Sequence, residues 1–435
     1  MKMCREFEGK RLLILGGSRI SCQVVKKAQE MGAYVLVTDW YALEKSPAKQ
    51  IADEACFVST ADLDAMEQLV REKKVDGIIT GFTDSVLPYY ADICERVGLP
   101  CYGTREQFEK MTDKTQYKAL CREFGVPTID SYDIDYHQRT EEWDAIRYPV
   151  LVKPADSSGA RGVAICENEA QMLAACEEAE KVSETGKVLV ERFVDTGKEA
   201  TVFYVFQDGN IMLSGMANRH VKKNQEDAIA LPVAYSYPAA LLPDYQKRVF
   251  PKVEKMLSSV GIKNGMMFMQ CMIEDGECLV YDIGYRLTGS LEYLNMKRIG
   301  GYDPLEMLIR FAFTGKMANE DLRSVIDPNW KTYGSNVSFL MKPGTIGKIT
   351  GLEDILATEG VIDAVLARME GETLPSEGKG QLRQIMLRVL GEAPTKEALW
   401  QQFETIYHCL SVTSPEGENL LLPGLEESDL DGMLN

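Results

Sequence analysis

Two stretches near the middle of the chain, "EATVFYVFQDGNIMLSGMA" and "GMMFMQCMIEDGECLVYDIGYR", each place an Asp-Gly pair between two apolar runs. Aspartate and glycine tolerate the positive φ angles of a tight hairpin turn, and such a turn joins only antiparallel strands. The middle of the chain is thereby committed to an antiparallel sheet. The first hundred residues impose the opposite geometry. "RLLIL", "YVLVTD", "ACFVS" and "DGIIT" read as strands, while "CQVVKKAQEMG" and "ADLDAMEQLVREKK" between them have helical spacing. Strand-helix alternation makes successive strands parallel, which predicts an N-terminal doubly wound α/β unit. At 435 residues the chain exceeds what one core usually supports, so an α/β unit and an α+β region can coexist.

Between and beyond these regions the pattern predicts further elements. A helix starts near Thr104, and another lies in "MTDKTQYKALCREFGVP", with Thr112 as its N-cap, Gly125 as its stop and Pro127 as the break beyond. "NEAQMLAACEEAEKV" reads as a helix and "KVLVERFV" as a strand. A last helix starts near Thr395, where Leu399, Trp400, Phe403 and Ile406 recur at helical spacing and form a core face. The first turn, "GGSRIS", with Asp39 at the end of the second strand, brings a dinucleotide fingerprint to mind. No third glycine follows at the packing position, so a tight strand-to-helix turn is the better reading, with a Rossmann oxidoreductase as the outside alternative.

Composition restricts the function classes. A formal net charge of -18 argues against a nucleic-acid partner, and any anionic ligand must meet a local cluster of cations. No run has the length of a membrane span and the start lacks a secretory pattern, which predicts no membrane partner and a cytoplasmic location. Eleven scattered cysteines without a C-x-x-C pair read as reduced, mostly buried thiols. With three separated histidines, a metal would be a hard cation held by oxygens.

Candidate chemistry begins at "KPADSSGARG". Most such turns are only turns. Folded over phosphates, however, the backbone N–H groups of Ser157, Ser158, Gly159 and Ala160 would form an anion nest. Gly159 and Gly162 would permit its backbone angles, and Lys153 would add a point charge. Lys114, near the start of its helix, is a cation beside a positive dipole end and calls for an anion within reach. Gln270 and Asp282 stand on the two arms of one hairpin, 12 residues apart, and this even spacing allows both to point to one face. With Arg286 four residues on, they suit a magnesium ion that also touches phosphates; a solvated cross-strand polar pair is the equal alternative.

The stretches "MTDKTQYKALCREFGVP", "YPVLVKPADSSGARGVAI", "VLVERFVDTGKEATVFYV" and "FMQCMIEDGECLVYDIGYRLTGS", in this order, resemble the ATP-grasp superfamily. The likeness is to its arm of biotin carboxylase, carbamoyl-phosphate synthase domains and L-amino acid ligases. The resemblance implies a fold class of α/β and α+β. A Rossmann-like α/β domain at 1–103 would precede an ATP-grasp domain at 104–318 and a C-terminal α+β domain at 319–435. It also implies that Lys114 and Lys153 contact ATP phosphates and that the loop from Ser157 to Gly162 closes over them. Glu191 would accept from the adenine amino group through its side chain or neighbouring backbone, Phe193 and Val194 would supply hinge contacts, and Glu199 would bind ribose hydroxyls.

By the same resemblance Gln270 and Asp282 hold Mg2+ or Mn2+, and Arg286 stabilises the transferring phosphoryl group. Arg219 and His220, in "MANRHVKKN", are candidates facing the phosphates, or members of a solvated loop. The sequence departs from the family at Gln270 and Asp282, each usually Glu, and at Gly284, usually Asn. The implied activity is an ATP-dependent carboxylate-amine ligase working through an acyl phosphate, on small-molecule carboxylate and amine substrates, with a homodimer open as its assembly. The alternatives are a non-catalytic ATP-binding protein with a degraded metal site, and a purine-biosynthesis-type or carboxylase-type enzyme.

Overall fold

The computed structural model describes residues 6–156, 161–195, 197–224 and 230–426. Strands β1 (Arg11–Leu15), β2 (Tyr34–Thr38), β3 (Glu54–Cys56) and β4 (Gly77–Thr80) pair in parallel in the order β3-β2-β1-β4. Their near-continuous apolar sequence is explained by cover on both faces. One cover comes from far along the chain. Helix Pro304–Thr314 returns to this sheet, so that a Cβ on Gly77 would stand 2.7 Å from the Ala312 carbonyl oxygen. The helix is fixed by Lys27, 3.0 Å from Asp303 and 2.8 Å from Glu306, and by Phe313 against Phe7.

The "GGSRIS" turn is structural. The Asp39 carboxylate accepts from the Gly17 N–H at 2.8 Å, the Tyr41 N–H at 2.9 Å and the Ser46 hydroxyl at 2.8 Å, and Lys49 lies 2.7 Å away. These four partners use the acceptor sites a carboxylate has, leaving none for a ribose.

The middle of the chain builds two antiparallel sheets. The smaller one contains β5 (Ser131–Tyr132), β6 (Val150–Pro154), β7 (Ala164–Cys166) and β8 (Val188–Arg192), in the order β5-β8-β6-β7. Helix Glu169–Val182 covers it, burying Met172, Cys176 and Ala179. The larger one contains β9 (Lys198–Gln207), β10 (Asn210–Lys222), β11 (Leu231–Tyr237), β12 (Gly265–Glu274), β13 (Glu277–Gly284) and β14 (Tyr333–Leu340). Strands Ile385–Ala393 and Val361–Leu366 complete it, in the order β13-β12-β9-β10-β11-β14-(385–393)-(361–366). Both Asp-Gly turns take the angles their residues suggest, with φ of 50° and 86° at Asp208 and Gly209 and of 49° and 78° at Asp275 and Gly276. The large sheet thus runs on into the C-terminal region, which also has its own apolar cluster around Leu399, Phe403 and Ile406 of helix Lys396–Cys409.

One cap differs from the sequence reading. Thr112 ends the preceding helix, Arg105–Thr112, and Asp113 caps Lys114–Phe124 by accepting from the N–H groups of Thr115 and Gln116. An ionised Asp at that position also complements the helix's positive end, which Thr would not do. The close approach at Gly77 predicts that Gly77→Val destabilises the fold by about 1–3 kcal/mol through overpacking, measurable by urea unfolding.

Candidate functional site

A cleft of about 800 Å³ opens between the small sheet and the β9, β12 and β13 side of the large one, with the C-terminal strands forming a further wall. Ten basic side chains line it against four acidic ones, the local cationic cluster that a chain of net charge -18 needs to hold an anion. β6 contributes Lys153, β8 contributes Glu191, and the helix start contributes Lys114.

Glu191 is fully buried and shared between two lysines. Lys118 donates to its Oε1, and Lys153 Nζ stands 2.8 Å from Oε2, in ion-pair contact although off hydrogen-bond alignment. Burial pushes the Glu191 carboxyl up, and Lys153 and Lys118 more than offset this, holding it below the usual range. Lys118 thus occupies Oε1 and Lys153 stands against Oε2, at the position whose side chain or neighbouring backbone the sequence reading offered to an adenine amino group. Burial likewise pushes the Lys118 ammonium down to about 8 against the opposing pull of Glu191. Lys118 was missed by the sequence reading, yet it lies four residues after Lys114, one helical turn along the same face.

The next group is Glu199 on β9 with Arg219 opposite it on β10. Arg219 Nη1 and the Tyr281 hydroxyl, the latter at 2.8 Å, both donate to Glu199 Oε2. Burial alone would depress the Arg219 guanidinium; Glu199, with Tyr281 and Tyr235, holds it well above the ordinary arginine range. Arg219 and His220 are both buried strand residues, His220 contacting Ser236 at 2.8 Å, and not a solvated loop. Phe193 and Val194 line the cleft in the link between β8 and β9, with Val194 packed on Ile129 and Leu279.

Gln270 and Asp282 do face each other, for a reason other than their even spacing. A two-residue hairpin turn pairs residues at odd spacing, as in Glu274 with Glu277 and Cys271 with Val280. A bulge at Tyr281 then shifts the register, so that Gln270 meets Asp282 and both Tyr281 and Asp282 line the cleft. Without it Asp282 would fall on the other face. Lys114 Nζ lies 3.7 Å from Asp282 Oδ1.

The following pair on that face is Phe268 with Gly284. A Cβ at Gly284 would stand 2.3 Å from Phe268 Cε1, so the ring fills the place of any side chain there. The Arg286 guanidinium lies 5.1 Å from the centre of the same ring. It also forks onto Asp84, with Nε 2.7 Å from Oδ1 and Nη2 donating to Oδ2, while Nη1 donates to the Leu287 carbonyl. Asp84 escaped the sequence reading, although it follows β4 at the carboxyl end of the parallel sheet, where α/β units place ligand-handling groups.

Ser157, Ser158 and Gly159 lie outside the described residues. Gly162 lies within them at φ 70°, where a Cβ would stand 2.9 Å from Pro154 Cγ, so its glycine is required twice over. Among the described residues no group of three His, Cys, Asp or Glu side chains gathers at one point. Asp282 and Gln270 present oxygen donors of the kind a hard cation takes, and Phe268 excludes a third side chain at position 284.

Residues 113–319 match the family model described as "Carbamoyl-phosphate synthase L chain, ATP binding domain". The chain is 25% identical over 338 residues to the 2-oxoglutarate carboxylase small subunit of Hydrogenobacter thermophilus, covering 72% of this chain and 69% of that one. It is 23% identical over 375 residues to the C-terminal section of the carbamoyl phosphate synthase large chain of Methanocaldococcus jannaschii, covering 80% of this chain and 59%, less than two thirds, of that one. Among solved structures, the L-amino acid ligase of Bacillus licheniformis aligns with a TM-score of 0.75 at 18% identity, covering 94% of this chain and 99% of that one. The biotin carboxylase domain of the Hydrogenobacter thermophilus 2-oxoglutarate carboxylase, solved with MgADP, ADP and bicarbonate, aligns with a TM-score of 0.76 at 19% identity, covering 95% and 91%. At such identities these two likenesses are ones of fold.

The buried triad predicts two outcomes. Glu191→Gln leaves two buried ammonium groups without their anion and costs about 3–5 kcal/mol of stability, read from urea unfolding. Between pH 8 and the ordinary lysine value of 10.5, folded Lys118 holds fewer protons than unfolded Lys118, so its contribution to stability rises with pH. The wild-type stability curve therefore climbs relative to that of Lys118→Met in that window.

Proposed function

We propose that residues 113–319, which match the carbamoyl-phosphate synthase ATP binding domain, form an ATP-grasp domain and that the chain is an ATP-dependent carboxylate-amine ligase. The observation that carries this reading is one cleft holding phosphate-ready cations, a base-and-ribose edge and a pair of oxygen ligands together. Lys114 and Lys153 line the cleft where they can meet the triphosphate, and the loop from Ser157 to Gly162, proposed to close over it, lies for the most part outside the described residues. The link at Arg192, Phe193 and Val194 offers backbone donors and acceptors on an apolar wall, which suits an adenine ring. Glu199 keeps one oxygen on Arg219 and Tyr281, leaving the other for a ribose hydroxyl. A divalent cation on Asp282 and Gln270 would neutralise phosphate charge.

In the reaction a substrate carboxylate oxygen attacks the γ-phosphorus, the bond to the β–γ bridging oxygen breaks, and ADP leaves. The amine nitrogen then attacks the acyl carbon, phosphate departs, and the nitrogen loses a proton as the amide forms. Charge on the phosphoryl group is met by Arg286, whose orientation Asp84 and Phe268 fix beforehand. We assign 1–103 as the substrate-side α/β domain, 104–318 as the nucleotide-binding domain and 319–435 as the C-terminal domain. No described helix is long and apolar enough to cross a membrane, in keeping with the cytoplasmic location proposed here.

The Phe268 ring at position 284 favours a second reading, an ATP-binding protein without turnover. Both are tested by ADP release with magnesium or manganese across pooled amino acids, other small carboxylates and bicarbonate, with mass spectrometry of the products. Release that depends on a carboxylate and an amine supports the ligase, and release with bicarbonate and no amide product supports a carboxylase. ATP binding with no release on any pool establishes the second reading. Within the ligase reading, Lys153→Ala raises the KM for ATP. Arg286→Ala lowers kcat by roughly 10²–10³-fold, the cost of losing a preorganised donor, and an unchanged rate removes Arg286 from the mechanism.

A further inference from the structure

Three buried cations on the nucleotide side of the cleft are each paired with a carboxylate: Lys153 with Glu191, which Lys118 shares, Arg219 with Glu199 and Arg286 with Asp84. The C-terminal wall differs. Arg368, Arg383 and Arg388 all line the cleft, and none of them has a carboxylate oxygen within 4.0 Å among the described residues.

Arg388 is the deeper one, 8% exposed on strand Ile385–Ala393, opposite Ser338 of β14. Among the described residues its one side-chain hydrogen bond goes from Nη1 to the Ser338 hydroxyl at 2.7 Å. Burial pulls its guanidinium below the ordinary arginine range, and the acids nearest it, Tyr235 and Glu292, do not offset this. Glu292 is itself fully buried and pushed up by burial, with the Thr288 hydroxyl donating to it, so it is a poor counter-charge. A buried guanidinium without an anion is costly, and a cleft is where a ligand can supply one.

Arg368 and Arg383 form a second centre. Arg368 donates through Nε at 3.0 Å and Nη2 at 2.8 Å to the Arg383 carbonyl, which fixes its guanidinium at the turn before the strand. The nearby Glu372 is paired with Arg19. Arg383 and Arg388 are five residues apart, so their Cα atoms stand at most about 17 Å from each other.

We propose that this wall is a two-point anion subsite for the second substrate, with Arg388 taking one carboxylate and the Arg368–Arg383 pair another. The co-substrate is then an amine that bears two carboxylates, of the class of acidic amino acids and acidic peptides. This rests on the ligase reading. Guanidinium forks accept phosphate as readily as carboxylate, so the test includes both.

The full chain, titrated calorimetrically with a non-hydrolysable ATP analogue and then with amines, separates the two ideas. The amine probes are L-aspartate, L-glutamate and glutamyl-glutamate, with L-asparagine, L-glutamine and glutaminyl-glutamine as neutral isosteres and O-phosphoserine as the phosphate arm. At least one acidic probe binds roughly tenfold or more tighter than its isostere, the margin of one charge-assisted contact. Arg383→Ala, on the exposed rim, brings that ratio close to one, and Arg388→Gln abolishes amine binding. Arg388→Gln can fail to fold, and the Arg383→Ala ratio then decides alone. Binding of the ATP analogue with no preference for the acidic probes, or with tighter binding of O-phosphoserine, overturns the dicarboxylate subsite. Failure of the ATP analogue to bind overturns the ligase reading instead.

Discussion

The cleft depends on one carboxylate. Glu191 joins β8 to β6 through Lys153 and to the helix Lys114–Phe124 through Lys118, so three elements that bound the nucleotide side meet at a single buried anion. Two lysines share one carboxylate in a low-dielectric interior; burial depresses Lys118, and Lys153 adds to this against the pull of Glu191. The arrangement leaves one more positive than negative charge at this wall of the cleft. An anion entering beside Lys153 would offset that extra charge.

Much of the fold was legible because local chemistry dictates it. Asp-Gly turns between apolar runs compel hairpins, and strand-helix alternation compels a parallel sheet; both are present. The helix stop at Gly125, with φ 66°, follows equally from the residue alone. What escaped was whatever depended on partners distant in sequence. Thr112 and Asp113 are both competent caps, and the choice between them turned on where the previous helix ends.

The site divided in the same way. Lys114, Lys153, Glu199, Arg219, Gln270, Asp282 and Arg286 do converge on one cleft. Glu191 lines the same cleft, and its partner Lys118 was not legible because it comes from 73 residues away. The bulge at Tyr281 leaves no mark in composition or spacing, yet it decides which face Asp282 occupies. Asp84 reaches Arg286 across 202 positions. It makes the N-terminal unit a structural contributor to the cleft, and helix Pro304–Thr314 clamps that unit in place.

Phe268 and Gly284 form a locked pair of positions. A side chain at 284 must first displace a ring that also carries the Arg286 guanidinium, and removing the ring first leaves a cavity, a cost of about 3–5 kcal/mol for a buried Phe. Neither single step is neutral. The two residues can change together far more easily than one at a time, so a lineage that adopts the aromatic ring keeps position 284 a glycine by its own packing, whatever selection acts on its chemistry.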